Sequence, residues 1–106
     1  VGVTARDIST STDEHADWGV FGLGELGGAP CVVSTYRLGR GAATAALFDE
    51  RLVKAVNHEL GHTFGVDHCP ENGCLMSDAA GTMRRVDNGT GRLCTACGAR
   101  LAGIAR

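Results

Sequence analysis

Three histidines and a glutamate fall within the single stretch His58-Glu59-Leu60-Gly61-His62-Thr63-Phe64-Gly65-Val66-Asp67-His68. His58 and His62 are four residues apart, and on an α-helix that spacing stacks their imidazoles on one face. Two imidazoles held on a rigid helix can bind one zinc ion. Glu59 sits beside the first of them, where a carboxylate can take a proton from a metal-activated water. Gly65 can end the helix, because glycine reaches a left-handed cap without strain. The chain can then turn back and offer His68 as a third ligand. Three protein ligands with a fourth position left open is the pattern of a catalytic zinc rather than a structural one. The remaining histidine, His15, lies among Asp13, Glu14 and Asp17 and reads as a solvated loop residue.

A second constellation follows in the five cysteines, Cys31, Cys69, Cys74, Cys94 and Cys97. Cys69 and Cys74 flank a small loop, and Cys94-x-x-Cys97 places two more thiols on a tight turn. Together they supply the four thiolates of a closed structural zinc site. Such a site would tie the segment after the histidine helix to the C-terminal end. Taken alone, C-x-x-C also suits a redox dithiol or two buried small residues. The odd cysteine count and the lack of a signal-like start favour zinc in a reducing compartment, the cytoplasm, over disulfides. Cys31 is left over in an apolar run and reads as a buried free thiol. Two Zn²⁺ per chain are therefore expected.

These residues need elements to position them. The pattern from Ala45–Phe48 to Gly65 is helical, with Leu52, Val53, Val56, Leu60 and Phe64 as an apolar side whose packing would place the histidine face. Asp49 and Glu50 lie in its early turns, where carboxylates suit the helix dipole. Upstream, Val1–Ile8 reads as a strand, Ser9–Asp17 as a loop, and Trp18–Leu23 and Cys31–Leu38 as two strands of a hairpin across the turn-rich Gly24–Pro30. The glycines around Phe21 permit a bulge or a close backbone approach. After Cys69 the chain is turn-rich and needs its cysteines as a staple, with a short helix over Cys97–Ile104. The class is α+β.

At 106 residues the chain is a single small domain, 1–106. A net charge of −2 with mixed signs offers no basic surface for nucleic acid, which disfavours a nucleic-acid-binding zinc ribbon. No apolar run is long enough to span a membrane. A monomer is expected.

The eleven-residue form H-E-x-x-H-x-x-G-x-x-H is the zinc signature of the metzincin peptidases. The whole run His58–Cys97 fits H-E-x-x-H-x-x-G-x-x-H-C-x4-C-x-M-x17-C-x-x-C and resembles the signature of the archaemetzincins, or archaelysins, zinc-dependent metzincin-like metallopeptidases. Val1-Gly2-Val3-Thr4, Val20-Phe21-Gly22 and Val32–Leu38 are also similar to strands of that family. The resemblance implies His58, His62 and His68 as catalytic zinc ligands, Glu59 as general base, and Cys69, Cys74, Cys94 and Cys97 as structural zinc ligands. It implies Met76 as the methionine turn beneath the catalytic metal, with Met83 a lesser candidate. It further implies a small twisted mixed sheet, mostly parallel, packed on the active-site helix and followed by a zinc-stapled irregular C-terminal part. Trp18–Leu23 would be the antiparallel edge strand, pairing with extended peptide substrate. The strand and helix that usually open such domains have no counterpart here, so the chain is either a trimmed domain or a minimal one.

The expected function is zinc-dependent peptide hydrolysis, as a metalloendopeptidase or an aminopeptidase-like enzyme. The rival reading is a catalytically silent, zinc-stabilised protein-interaction module. The intact Glu59 speaks against the rival, since a structural site has no need of it.

Overall fold

In the computed structural model, residues 1–10, 18–24, 26–28, 30–79 and 82–104 are described. Among these residues, five short strands precede three helices. The strands are β1 (Gly2–Thr4), β2 (Ile8–Thr10), β3 (Trp18–Val20), β4 (Gly22–Gly24) and β5 (Cys31–Ser34). The helices are α1 (Ala45–Thr63), α2 (Met83–Asn88) and α3 (Thr95–Ile104).

One sheet has the order β1-β5-β4. β1 runs parallel to β5, with Gly2 opposite Val32 and Thr4 opposite Ser34. β4 runs antiparallel to β5, with Gly22 opposite Val33 and Gly24 opposite Cys31, which forms the expected hairpin. β2 and β3 form a separate antiparallel ribbon. The sheet is mixed as expected, but among the described residues its pairings are one parallel and one antiparallel, not mostly parallel.

Two expected strands are each split. The first breaks at Ala5–Asp7, where Ser34 Oγ donates to the Arg6 carbonyl at 2.5 Å and holds a bend. The second breaks at Phe21, whose carbonyl accepts from Ser34 N at 2.8 Å. Glycines at 19, 22 and 24 let the backbone change partners there. Alternation reports which residues are strand-like, not which neighbour each pairs with. Ser9 and Thr10 are strand rather than loop. The rest of that expected loop, His15 with Asp13, Glu14 and Asp17, lies outside the described residues. β5 ends at Ser34, and turns carry the chain on through the fully buried Leu38.

α1 matches its sequence signals closely. Thr44 is its N-cap, and the hydroxyl accepts from Leu47 N at 3.1 Å. Gly65 follows the C-cap residue Phe64 at φ 92°, and the Gly65 and Val66 N–H groups reach the carbonyls of His62 and Gly61. The side that packs inward differs from expectation. Val53 is 58 % exposed and Phe64 52 %, while the buried positions of α1 are Arg51, Lys54, Glu59 and His62. A polar side chain can be buried wherever it finds a partner. Arg51 donates to the carbonyls of Leu38 and Arg40 and pairs with Asp87, and Lys54 donates to the Val86 carbonyl.

The main apolar cluster lies beyond α1. Val66, Cys74, Met76 and Cys97 are its buried members, with Cys69, Leu75, Leu93, Cys94 and Leu101 packed around them. Four of these nine residues are the spaced cysteines, so the thiols sit where the second half of the chain is held together. α2 was not apparent in a stretch read as turns, and α3 begins at Thr95, two residues before the expected start. No helix among the described residues is long and apolar enough to cross a membrane.

Candidate metal centres and active site

The imidazoles of His58 and His62 stand one turn apart on α1, ring centroids 4.7 Å apart. Each is fixed from behind by a backbone carbonyl. Nδ1 of His58 lies 2.7 Å from the Leu75 oxygen, and Nδ1 of His62 lies 2.8 Å from the Val66 oxygen. A carbonyl only accepts, so each Nδ1 carries the proton and each Nε2 presents a lone pair. The two Nε2 atoms converge to 3.1 Å. The turn at Gly65 brings in His68, whose ring lies 5.3 Å from that of His58 and 4.8 Å from that of His62. One ligand atom from each ring lies within 4.8 Å of the others. Burial, reinforced by the other two imidazoles, lowers the His58 pKa to about 4, so its ring is neutral at pH 7, as a metal ligand must be.

Glu59 is 7 % exposed and lies against β4. Gly22 and Gly24 make room for it. A Cβ on Gly22 would come within 2.8 Å of Glu59 Cγ, and one on Gly24 within 2.9 Å of Glu59 Oε2. Burial raises the Glu59 pKa to about 7. A carboxyl poised there can both take up and release a proton near neutral pH. Met76, fully buried, lies beneath α1, and its sulfur abuts Gly61, between the two helical histidines, so closely that no Cβ fits. Met83 is on α2 and half-buried.

The four spaced cysteines also converge, their sulfurs all within 4.8 Å of one another. Cys69 and Cys94 have their sulfurs 3.7 Å apart and are free thiols. A tetrahedron with metal–sulfur bonds of ~2.3 Å has edges of roughly 3.8 Å, so this spacing fits one zinc ion. Cys94 and Cys97 bracket the start of α3. The Cys97 backbone N–H helps draw the Cys94 pKa down to about 7, while burial pushes Cys97 up to about 12. Cys31 is buried on β5 and free.

The model of peptidase family M54 matches residues 3–103. The chain belongs to peptidase family M54. Its M54 relatives include the archaemetzincin of Halobacterium salinarum, 45 % identical over 85 residues, covering 74 % of this chain and 49 % of that protein. The archaemetzincin of Archaeoglobus fulgidus is 37 % identical over 101 residues, covering 95 % of this chain and 58 % of that one. Among solved M54 structures, that of the Methanopyrus kandleri archaemetzincin superposes with a TM-score of 0.84 at 35 % identity, covering 98 % of this chain and 54 % of that one. The Archaeoglobus fulgidus archaemetzincin complexed with malonate gives 0.80 at 37 % identity, covering 93 % and 58 %. The expected archaemetzincin resemblance is thus borne out, and the fold is a mixed α+β fold similar to these structures. The chain spans about half the length of the relatives it matches.

Seen as an M54 chain, both ligand sets fit zinc by donor type: three imidazoles in one and four thiols in the other. Sequence reasoning brought together all seven of these residues. It missed the Leu75 and Val66 carbonyls that aim the histidines, because backbone acceptors carry no side-chain signature. It also missed Asp78, whose Oδ2 lies 3.9 Å from His68 Nδ1, and the Arg51–Asp87 pair that fastens α2 to α1.

Proposed function

We propose that this chain is a zinc-dependent peptidase, with His58, His62 and His68 as the catalytic zinc ligands and Glu59 as general base. The observation that carries the reading is the buried Glu59 carboxyl, held against β4 on the same helix as His58 and His62, whose Nδ1 atoms each face a backbone carbonyl, with His68 completing the imidazole cluster. Cys69, Cys74, Cys94 and Cys97 would hold a second, structural zinc, giving two ions per chain. Four thiols serve as ligands only where cysteines stay reduced, so the reading favours the cytoplasm.

Peptide substrate would lie extended along β4. Among the described residues that strand ends the sheet order and pairs with β5 alone, so its other edge can pair with substrate backbone. Gly22 and Gly24 keep the edge close to Glu59. A zinc ion, when bound, supplies Lewis acidity that lowers the pKa of a water toward ~7 and polarises the scissile carbonyl. Glu59 takes the proton of the attacking water and hands it to the departing amine, for which a carboxyl titrating near 7 is suited. The carbonyls of Leu75 and Val66 keep His58 and His62 in a single tautomer throughout. Met76 holds the floor beneath Gly61.

The test is a peptide-library digest by the zinc-loaded chain beside Glu59→Gln, with metal content measured on both. The variant is expected to keep its zinc and to lose about 10²–10⁴-fold in rate, the usual worth of a positioned proton-transfer group. Equal cleavage by both proteins removes Glu59 from the mechanism. No cleavage by a wild-type chain that carries both ions would leave a zinc-stabilised interaction module as the better reading.

A further inference from the structure

The two ligand sets are joined twice over. His68 and Cys69 are consecutive residues that serve different sets. The other link is the five-residue segment Cys74–Asp78. Cys74 belongs to the thiol set, and its sulfur accepts from the backbone N–H of Met76 and of Cys94 at 3.4 Å. Leu75 gives its carbonyl to His58 Nδ1 at 2.7 Å, while its own N–H donates to the Arg92 carbonyl at 2.8 Å, two residues before Cys94. Met76 packs under Gly61, and its carbonyl accepts from Cys69 N at 2.9 Å. Ser77 bridges to Cys69 in parallel. Asp78 faces His68.

His62 takes its position from α1 and its cap. By contrast, the acceptor behind His58 and the carboxylate beside His68 both belong to this strap. We infer that Cys74–Asp78 couples the two sets, so that an ion held by the four cysteines raises the affinity of the three histidines for theirs. The inference rests on the reading that both sets hold metal.

The physical reason is ordering. Within the strap the Ser77 N–H reaches the Cys74 carbonyl and the Met76 N–H the Cys74 sulfur, and its fixed points are Cys69, Cys74, the buried Met76 and the segment leading to Cys94. With the thiols unligated, those fixed points are held by packing alone and the strap samples other positions. Each departure removes the Leu75 carbonyl from His58 and shifts the Cys69 neighbour His68. Binding at the histidine set must then first restore the strap, which lowers its apparent affinity by the fraction of time spent out of place. Linkage requires the reverse as well: an ion on the histidines must tighten the cysteine set by the same factor.

That reciprocity gives a test in two arms on the full chain. Cobalt(II) tells the sets apart, because thiolate ligands give intense charge-transfer absorption and imidazoles do not. In the first arm, Cys94→Ser, which alters the set at the end away from the strap, is expected to weaken zinc at the histidines by about tenfold in chelator competition, within the usual range of coupling. In the second, His68→Ala is expected to weaken cobalt at the cysteines by a similar factor. His68 has a half-exposed side chain, so this variant is expected to fold even where a cysteine variant does not. Two ions per chain with affinities that do not respond to the opposite set overturn the coupling alone. A single ion per wild-type chain overturns the two-site reading, and the coupling with it.

Discussion

Gly24 is pressed onto Glu59: a Cβ at Gly24 would lie 2.9 Å from both the backbone oxygen of Glu59 and its Oε2. The backbone oxygen belongs to α1 and cannot swing aside. Gly24→Ala is therefore expected to push β4 off the helix, lowering kcat/KM at least tenfold while metal content stays at the wild-type level. The three atoms nearest a Cβ on Gly22 all belong to the Glu59 side chain, which can move, so Gly22→Ala should change catalysis through Glu59 with less effect on folding. Peptide kinetics and thermal melts on both variants check this. Equal, wild-type behaviour of the two would refute the close packing of β4 on α1.

Met76 is fully buried within the cluster that contains Val66, Cys74 and Cys97. Met76→Ala should destabilise the chain by about 2–5 kcal/mol, the usual range for emptying a buried methionine site. Denaturant unfolding gives the number. Met76→Leu, of similar volume, should cost about 1.5 kcal/mol or less. A larger loss for leucine than for alanine would point to a role of the sulfur itself.

The metal-free chain should show two opposed pH effects. The His58 pKa is lowered from 6.5 to about 4, so between those values the unfolded chain binds the extra proton and stability rises with pH. The Glu59 pKa is raised from 4.5 to about 7, so there the folded chain holds the extra proton and stability falls as pH rises. The windows overlap between about 4.5 and 6.5, and the slopes partly cancel. Glu59→Gln deletes one of them. Its melting temperature, measured on chelated protein, should therefore climb more steeply with pH over that range than that of wild type. An equal or shallower climb would mean that Glu59 is not raised.

Two ion pairs make a matched comparison. Arg51, buried, binds Asp87 through both oxygens and also holds the carbonyls of Leu38 and Arg40. Arg37 makes the same two-point contact with Asp7, but both side chains are a third or more exposed. Asp87→Asn should lower the melting temperature clearly and loosen α2, whereas Asp7→Asn should change it little. Arg51 holds the Asp87 carboxyl below its ordinary 3.8, so this part of the stability is present above that value and disappears as pH falls below it.

Removing zinc from the two proposed sites by chelation should lower the melting temperature by roughly ten degrees or more, since ligands bound at a hundred times their Kd each contribute about 2.7 kcal/mol. Differential scanning calorimetry with and without chelator is the measurement. An unchanged melt would show that the thiol cluster is held by packing rather than by metal.

The parts legible in the sequence were those encoded at short range. The i, i+4 pair His58 and His62, the glycine at 65 and the two cysteine spacings each express a constraint within a few residues, and all are where they were expected. Long-range choices were not legible. The change of partner at Phe21 depends on Ser34, thirteen positions on, which accommodates both β1 and Phe21. The six-residue α2 has little helical pattern of its own and is fastened by Arg51, 36 positions away. The inward side of α1 was misjudged because apolar spacing marks candidates for burial but does not reveal which charged side chains will find carbonyls. Of the site, the side chains were readable; the Leu75 and Val66 oxygens behind them were not.

The peptide bond between His68 and Cys69 also acts as a partition. Cys69 is held by its isolated bridge to Ser77, and its neighbour His68 belongs to the other ligand set. The His68 imidazole joins the nitrogen set and the Cys69 thiol the sulfur set, so among the described residues the two donor types do not mix in one cluster. The consequence is sorting by softness. A thiophilic ion such as copper(I) finds its preferred donors on the cysteine side and poor ones on the histidine side. Poisoning by such an ion would begin at the staple, and the proposed hydrolysis would fail as a later result of a disturbed scaffold rather than of an occupied histidine set.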